Sequence, residues 1–316
     1  MSHRVLVSAP YLVPVVDRYR ERLARLGIAL QVAAVGERLE EHELLPLVPG
    51  VDGVICGDDR FTDRVLRAAT RLKVISKWGT GTDSIDRQAA ERLGILVCNT
   101  PGAFTDPVAD SVMGYLLCFA RRIPWSAQTL RTGGWQKQPS IALREGTLGI
   151  IGVGAIGRAV ARRAAAFGMT VLGVDIRPVS PEVVAETGLV PVALDDLLGR
   201  SDFVSVNCDL NPTSRRLLDA SRLARMKAGA VLINTARGGI VDERALIAGL
   251  EAGRLGGAAL DVFEIEPLPA DSPLRRMDNV LLAAHNANSS PAAWTFVHER
   301  TIRNLLDGLG VADLAR

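Results

Sequence analysis

The run Leu148-Gly-Ile-Ile-Gly152-Val-Gly154-Ala155-Ile156-Gly157 sets three glycines at the spacing G-x-G-x-x-G directly after a short apolar segment. In a phosphate-binding turn each glycine has a separate job. Gly152 makes the tight turn, Gly154 lets the backbone approach a pyrophosphate, and Gly157 lets a helix pack close on a strand. A helix predicted over Arg158–Phe167 follows, and its N-terminal turn at Ala155 and Ile156 would aim free N–H groups at the phosphates. The spacing by itself is common. Asp175 sharpens it: it lies 18 residues past Gly157, at the end of the next apolar segment, where a carboxylate can hold both hydroxyls of a ribose. The combination points to a dinucleotide cofactor. The carboxylate favours NAD over NADP because it would repel a 2′-phosphate, although Arg177, two residues on, is a cation such a phosphate could use.

A turn of this kind needs a sheet to carry it. Leu148–Ile151, Val171–Val174, Phe203–Val206, Val231–Asn234, Gly257–Leu260 and Val280–Leu282 are short strand-like runs, most of them followed by helical spacing. Six strands in βαβ order make a full dinucleotide-binding sheet. An earlier series, Val5–Val7, Gly53–Ile55, Lys73–Ile75 and Ile95–Val97, alternates with helical stretches at Val15–Leu26, Asp63–Ala69 and Ile85–Leu93. The pattern predicts the α/β class, with two Rossmann-like or flavodoxin-like domains, a parallel sheet in each, and a cleft between them as the seat of a ligand. A helix over Phe104–Arg122, opened by Thr105-Asp-Pro107, separates the two series. The first series is short and is expected to borrow the last helix, which starts at Ser290-Pro and runs to about Leu309. The domains are therefore drawn as 1–101 plus 290–316 for substrate binding and 102–289 for NAD binding, with hinges near Asn99–Thr105 and Asn288–Pro291.

Composition narrows the function classes. The chain has 316 residues, 48% hydrophobic and 23% charged, which suits two globular domains of ordinary size. A formal net charge of +2 without a Lys/Arg block gives no footprint for nucleic acid or an anionic membrane. No apolar run reaches the length of about 18 residues that a membrane span needs. The N-terminus shows no apolar secretion segment, so a cytoplasmic location is expected. Cys56, Cys98, Cys118 and Cys208 lack C-x-x-C spacing, and neither a metal site nor a disulfide framework is expected.

Further motifs follow in order: Asn99-Thr-Pro101, Val108-Ala-Asp110, Ile233-Asn-Thr-Ala-Arg237-Gly-Gly-Ile-Val-Asp-Glu243, Ala259-Leu-Asp261-Val-Phe-Glu-Ile-Glu266-Pro-Leu268 and Ala284-His285. With these stretches the sequence, over nearly its whole length, resembles the D-isomer-specific 2-hydroxyacid dehydrogenase family, in particular its phosphoglycerate dehydrogenase-like members. The resemblance implies an NAD-dependent enzyme that moves a hydride between the cofactor and C2 of a small 2-hydroxy/2-keto acid. Such chemistry needs a cation for the acid's carboxylate, a proton donor at the carbonyl oxygen and a hydride aimed at C2. Arg237 offers a planar fork that matches a carboxylate bidentately. His285 can shuttle a proton near neutral pH. Glu266 can orient the imidazole and favour its protonated form. The family assigns the same roles to these three positions, and Arg237 and His285 count as contacts to cofactor and substrate as well. It also implies that Thr235 and Ala236 lie near the nicotinamide ribose and that Asp261 accepts from the carboxamide, a turn cap being the competing reading. Val206-Asn207-Cys208-Asp209-Leu-Asn-Pro-Thr213 fits the family's loop along the cofactor. Asn207 stands where many members have His, and Asp209 where many have Pro.

Ser76-Lys77-Trp78-Gly79-Thr80-Gly81 follows a strand of the first series. In the family the equivalent turn presents N–H groups to the substrate carboxylate, which makes Trp78, Gly79 and Thr80 candidate contacts; a plain strand-to-helix turn is the alternative. Lys77 stands where some phosphoglycerate dehydrogenases turn a cation toward phosphate. It hints at an anionic tail such as that of 3-phosphoglycerate, a solvated lysine being the alternative. Gly57 falls where those enzymes often carry Arg, and Arg60 is close enough in sequence to compensate. Ala284 replaces a usual Pro, and Asn286-Ala287 a usual apolar-Gly pair; with Asn288 these are either extra substrate contacts or plain loop residues. The resemblance implies a homodimer, for which Val108–Arg122 and the loop through Trp125 and Trp135 carry more apolar groups than a solvated face requires. The chain ends directly after its final helix, so no regulatory domain and no serine feedback site are expected. Two readings stand beside the main one: the same fold oxidising phosphite or formate, and a non-catalytic, NAD-sensing corepressor-like protein.

Overall fold

A computed structural model describes residues 2–312. The chain divides into two compact units, Met1–Phe104 with Ser290–Arg316, and Thr105–Ser289. In the first unit five strands form one parallel sheet. They are β1 (His3–Val7), β2 (Ile28–Val32), β3 (Gly53–Cys56), β4 (Val74–Lys77) and β5 (Leu96–Cys98), in the order β2-β1-β3-β4-β5. β3 and β4 are buried at every residue, as strands covered on both faces must be. The helices Asp63–Ala68 and Arg87–Arg92 start where Thr62 and Asp86 accept from the N–H groups of Val65 and Ala89. The final helix, Pro291–Leu309, returns to pack on β3, β4 and β5 and buries Val297, Ile302, Leu305 and Leu306.

The second unit carries seven parallel strands: β6 (Thr147–Ile151), β7 (Thr170–Val174), β8 (Val190–Pro191), β9 (Phe203–Val206), β10 (Val231–Asn234), β11 (Gly257–Leu260) and β12 (Val280–Leu282). Their order is β12-β11-β10-β9-β6-β7-β8, so the winding reverses at β6, which lies between β7 and β9. Crevices at the carboxyl ends of strands beside such a reversal are where open α/β sheets bind ligands. Two strands escape the sequence reading. β2 is a partly buried edge strand that includes Gln31, and β8 is a two-residue edge.

The helix Thr105–Arg121 packs against the helix Ala155–Ala166, burying Val108, Val112, Met113, Leu116 and Phe119. Arg163 fastens the pair through Asp106 and Asp110, each at 2.8 Å. The many apolar residues of Val108–Arg122 thus serve their own unit's core and carry no argument for a partner chain. The next segment is different. Ile123, Leu130 and Ile141 are exposed, and Trp135 is 88% exposed. Among the described residues no helix is long and apolar enough to cross a membrane.

Candidate active site

The candidate residues of the second unit all follow the carboxyl ends of strands. Asp175 follows β7, Gly152 β6, Asn207 β9, Thr235 β10 and Asp261 β11, and His285 lies three residues past β12. The strand order therefore sets them in a row across one edge of the sheet, running from Asp175 to His285.

The glycine turn is built by close approach. Gly152 has φ +93°, and a Cβ there would lie 2.6 Å from the Cys208 nitrogen. A Cβ on Gly157 would stand 2.0 Å from the Gly152 carbonyl oxygen, so only glycine lets the helix start this near the strand. Around Gly154 a Cβ would meet nothing within 4 Å. Gly154 is also the N-cap of Ala155–Ala166 and lends no side chain to the first-turn N–H groups. Open space and uncapped donors at one point are what a pyrophosphate requires. Asp175 is aimed by backbone, its carboxylate accepting from Val153 N at 2.7 Å and Arg177 N at 3.1 Å.

Two buried polar atoms on this edge, Asn207 Oδ1 and Thr235 Oγ1, have no hydrogen-bond partner in the protein. Buried polar atoms are normally paired, and an NAD lying along the edge would supply partners. Asn207 Nδ2 is already committed to the Ser205 carbonyl and hydroxyl. Downstream, Asn211 Oδ1 gathers Thr213 N, Thr213 Oγ1 and Ser214 N, and Asn211 Nδ2 reaches Asp209 at 3.3 Å. The loop that bears Asp209 and Thr213 is thus held from within. Burial pushes the Cys208 thiol up to about 11, with Asp209 adding to the rise, so it stays protonated at neutral pH. The residues present fit the dinucleotide.

Arg237 sits in a turn clamped by Asn234, a residue the sequence did not single out. Asn234 Nδ2 donates to the Arg237 carbonyl at 2.9 Å, and its Oδ1 accepts from Ala236 N at 3.1 Å. Gly238 then brings this turn onto the Glu266 loop: a Cβ there would lie 1.9 Å from the Phe263 carbonyl carbon. Glu266 Oε1 accepts from Phe263 N at 2.9 Å, and Oε2 lies 3.1 Å from His285 Nδ1. Burial works to raise the Glu266 pKa, but the His285 hydrogen bond and charge, the Phe263 N–H and Arg237 outweigh it and hold the carboxyl below its ordinary range. Glu266 is therefore ionised near neutral pH and, in the neutral ring, favours the tautomer with the proton on the nitrogen it faces, Nδ1, which leaves Nε2 as the nitrogen free to take up or release a second proton.

His285 itself has φ +50°, a left-handed conformation uncommon for a residue with a side chain. Asp261 imposes it. Its carbonyl accepts from His285 N at 2.8 Å, and its carboxylate from Asn286 N at 2.7 Å and Ala287 N at 2.9 Å. Burial raises the Asp261 pKa in spite of those two N–H groups. The same burial, with the Asp261 charge adding to it, pushes Tyr115 up to about 12. Asp261 is thus the brace of the turn that carries His285. The Asn286 amide oxygen accepts from Ser289, so this side chain is engaged within the loop.

The remaining candidates lie in the first unit. Gly79 has φ +122° and its carbonyl accepts from Thr100 N at 3.0 Å. Thr80 donates to the Thr100 carbonyl and accepts from Asn99 Nδ2. Trp78 is locked by its Nε1–H to His298 Nδ1 at 2.9 Å and by rings from Tyr11, Phe104 and Trp294. Lys77 departs from the solvated alternative: it is 3% exposed, with Nζ 3.1 Å from Asp58 Oδ1. Among the described residues no group of three or more His, Cys, Asp or Glu is placed to hold a metal ion.

A Rossmann-type sheet that ends in an Arg–Glu–His set defines the class as a dinucleotide-dependent oxidoreductase. Residues 113–287 match the D-isomer specific 2-hydroxyacid dehydrogenase NAD binding domain, and the chain belongs to that family. It is 40% identical to the D-3-phosphoglycerate dehydrogenase of Methanocaldococcus jannaschii over 87% of this chain, and spans only 53% of that relative's length. It is 37% identical to the hydroxypyruvate reductase of Thermotoga maritima over 89% of this chain and 92% of the relative. The fold is similar to a D-lactate dehydrogenase from Aquifex aeolicus solved with NAD and lactic acid, with TM-score 0.86 and 26% identity over 95% of this chain and 93% of that one.

Proposed function

We propose that the protein reduces a small 2-keto acid to the D-2-hydroxy acid with NADH, or runs the reverse. The observation that carries this reading is the Glu266–His285 pair at 3.1 Å on the sheet edge that also bears the glycine turn and the Arg237 turn. NAD(H), when bound, supplies or takes up the hydride at C2. Arg237 holds the acid's carboxylate and polarises its carbonyl. His285 Nε2 gives a proton to the carbonyl oxygen as it becomes a hydroxyl, and Glu266 stabilises the imidazolium in the waiting enzyme. Asp261 and Asn234 hold the two turns rigid. Within the first unit, the N–H groups of Trp78, Gly79 and Thr80 are the proposed contacts for an acid's carboxylate, with Lys77 toward its tail.

NADH oxidation with glyoxylate, hydroxypyruvate, 2-ketoglutarate and 3-phosphohydroxypyruvate tests the reaction, with formate and phosphite offered alongside NAD. Turnover of a keto acid that falls at least about a hundredfold in His285→Ala supports it. Full activity in that variant removes His285 from the mechanism, and NAD binding without any turnover favours the NAD-sensing reading. A homodimer in the cytoplasm completes the proposal. The exposed Ile123, Leu130, Trp135 and Ile141 support the self-association.

A further inference from the structure

We propose that Asp58 sets the tail specificity of this site by neutralising Lys77, so that the acid reduced at C2 carries an uncharged tail. The proposal rests on the substrate placement put forward above, with the carboxylate on the turn 78–80. Lys77 is the last residue of β4, and its Nζ lies 3.1 Å from Asp58 Oδ1 and 3.1 Å from the Trp78 carbonyl oxygen. A Cβ on Gly79 would stand 3.4 Å from the same Nζ. The ammonium therefore packs against the backbone of the very turn that would receive the substrate, and Gly79 leaves room for it.

An ammonium has three donors and a single charge. Here one donor meets a carboxylate and another a carbonyl, so the cation has its counter-ion built in. Asp58 is itself part exposed, while its neighbour Asp59 is fully buried and takes hydrogen bonds from Ser8 Oγ and Leu39 N at 2.6 Å each and from Gly57 N at 3.2 Å. The loop after β3 thus brings two carboxyl groups to the end of the sheet where Lys77 sits, and Gly57 adds no cation. A phosphate or carboxylate tail reaching for Lys77 would meet Asp58 across the same ammonium, and like charges at that range repel strongly wherever water is scarce. A hydrogen, methyl or hydroxymethyl tail meets no such repulsion, and a hydroxyl can accept from the ammonium.

The test compares kcat/KM for hydroxypyruvate and for 3-phosphohydroxypyruvate, which differ only in the tail, in the wild type and in Asp58→Asn. The wild type should favour the unphosphorylated acid by about tenfold or more. Asp58→Asn should move the ratio at least about tenfold toward the phosphorylated acid, a shift of about 1.4 kcal/mol. A wild type that prefers the phosphorylated acid overturns the proposal without any variant, and so does a folded Asp58→Asn with an unchanged ratio. If removal of the counter-ion unfolds that variant, the double variant Asp58→Asn/Lys77→Met removes both charges. It should keep the wild-type ratio within about threefold, and a tenfold loss of relative activity on the phosphorylated acid would show Lys77 to be a phosphate receptor and overturn the proposal. Turnover of none of the four keto acids by NADH-binding wild type overturns the reaction itself and this inference with it, turnover of glyoxylate or 2-ketoglutarate but of neither test acid overturns this inference alone, and turnover with reversed preference overturns the role of Asp58 alone.

Discussion

Gly154 and Gly157 stand three residues apart in one turn, yet the structure assigns them opposite sensitivities. Alanine at Gly157 would put a methyl 2.0 Å from the Gly152 carbonyl oxygen, where ordinary packing keeps 3.4 Å or more. The helix must retreat from the strand by more than an ångström. Overpacking of this kind costs about 1–3 kcal/mol, a fall in Tm of about 2–12 °C for a unit this size. At Gly154 the backbone has φ −75° and ψ −160°, comfortable for alanine, and the methyl meets nothing within 4 Å. The protein alone should lose at most about 1 kcal/mol there, from the poorer N-cap. The same methyl would occupy the space through which a pyrophosphate must approach. If the overpacking term then falls on the complex, NADH affinity should drop by about 5- to 150-fold. Thermal unfolding without cofactor and titration of NADH fluorescence separate the two effects. A Gly154→Ala protein that binds NADH within twofold of wild type would refute the placement of the pyrophosphate.

Four further outcomes follow from the structure. Glu266→Gln should lower kcat by roughly tenfold to a thousandfold at neutral pH, because the imidazole loses its orienting anion. Because the Glu266 pKa is depressed in the folded state, its stabilisation is complete above the ordinary value of 4.5 and is lost as pH falls through the depressed one. The stability gap between wild type and Glu266→Gln, read from urea midpoints, should therefore narrow on acidification below about pH 4.5, and a constant gap would contradict the sign. Asp175→Ala should shift the NADH/NADPH affinity ratio at least about tenfold toward NADPH, checked by coenzyme titration. Trp135→Glu should shift light-scattering mass at micromolar concentration from dimer toward monomer, and a wild-type monomer would remove the exposed patch from the argument.

The inner strands β9, β10 and β11 of the sheet that carries the site were legible because they are buried at every residue and so read as nearly unbroken apolar runs. β9 through β12 fall where the sequence sets them. Of the four edge strands, β5 and β12 keep compact apolar runs and were legible, whereas β2 mixes Gln31 into a partly buried run and β8 is two residues long, so neither stood out. The glycine turn and Asp175 could be read because their spacing is itself the geometry. Asn234 could not: a lone Asn after an apolar run looks like any strand end, and its clamp on Arg237 depends on a turn that exists only after folding. Lys77 shows the opposite difficulty. No local pattern marks a lysine for burial, and its partner Asp58 approaches from another strand's loop. The apolar face of Thr105–Arg121 was visible, but not which surface it meets, for a core helix and an interface helix share one pattern.

His285 occupies a left-handed backbone conformation that an ordinary residue enters at a cost of about 1–2 kcal/mol. Replacing it with Asn or Gly, both more at ease there, would remove the proposed proton donor while relaxing the backbone. The relaxed backbone then works against the loss of the partner that Glu266 has in His285, and the balance of the two sets the melting temperature. On the proposed role of His285, a variant meant to trap substrate for crystallography is better made with Asn than with Ala, since Asn tolerates the left-handed backbone. If His285 is the proton donor, this turn keeps a residue less at ease in its backbone conformation than Asn or Gly, and the chemistry rather than the fold accounts for the choice.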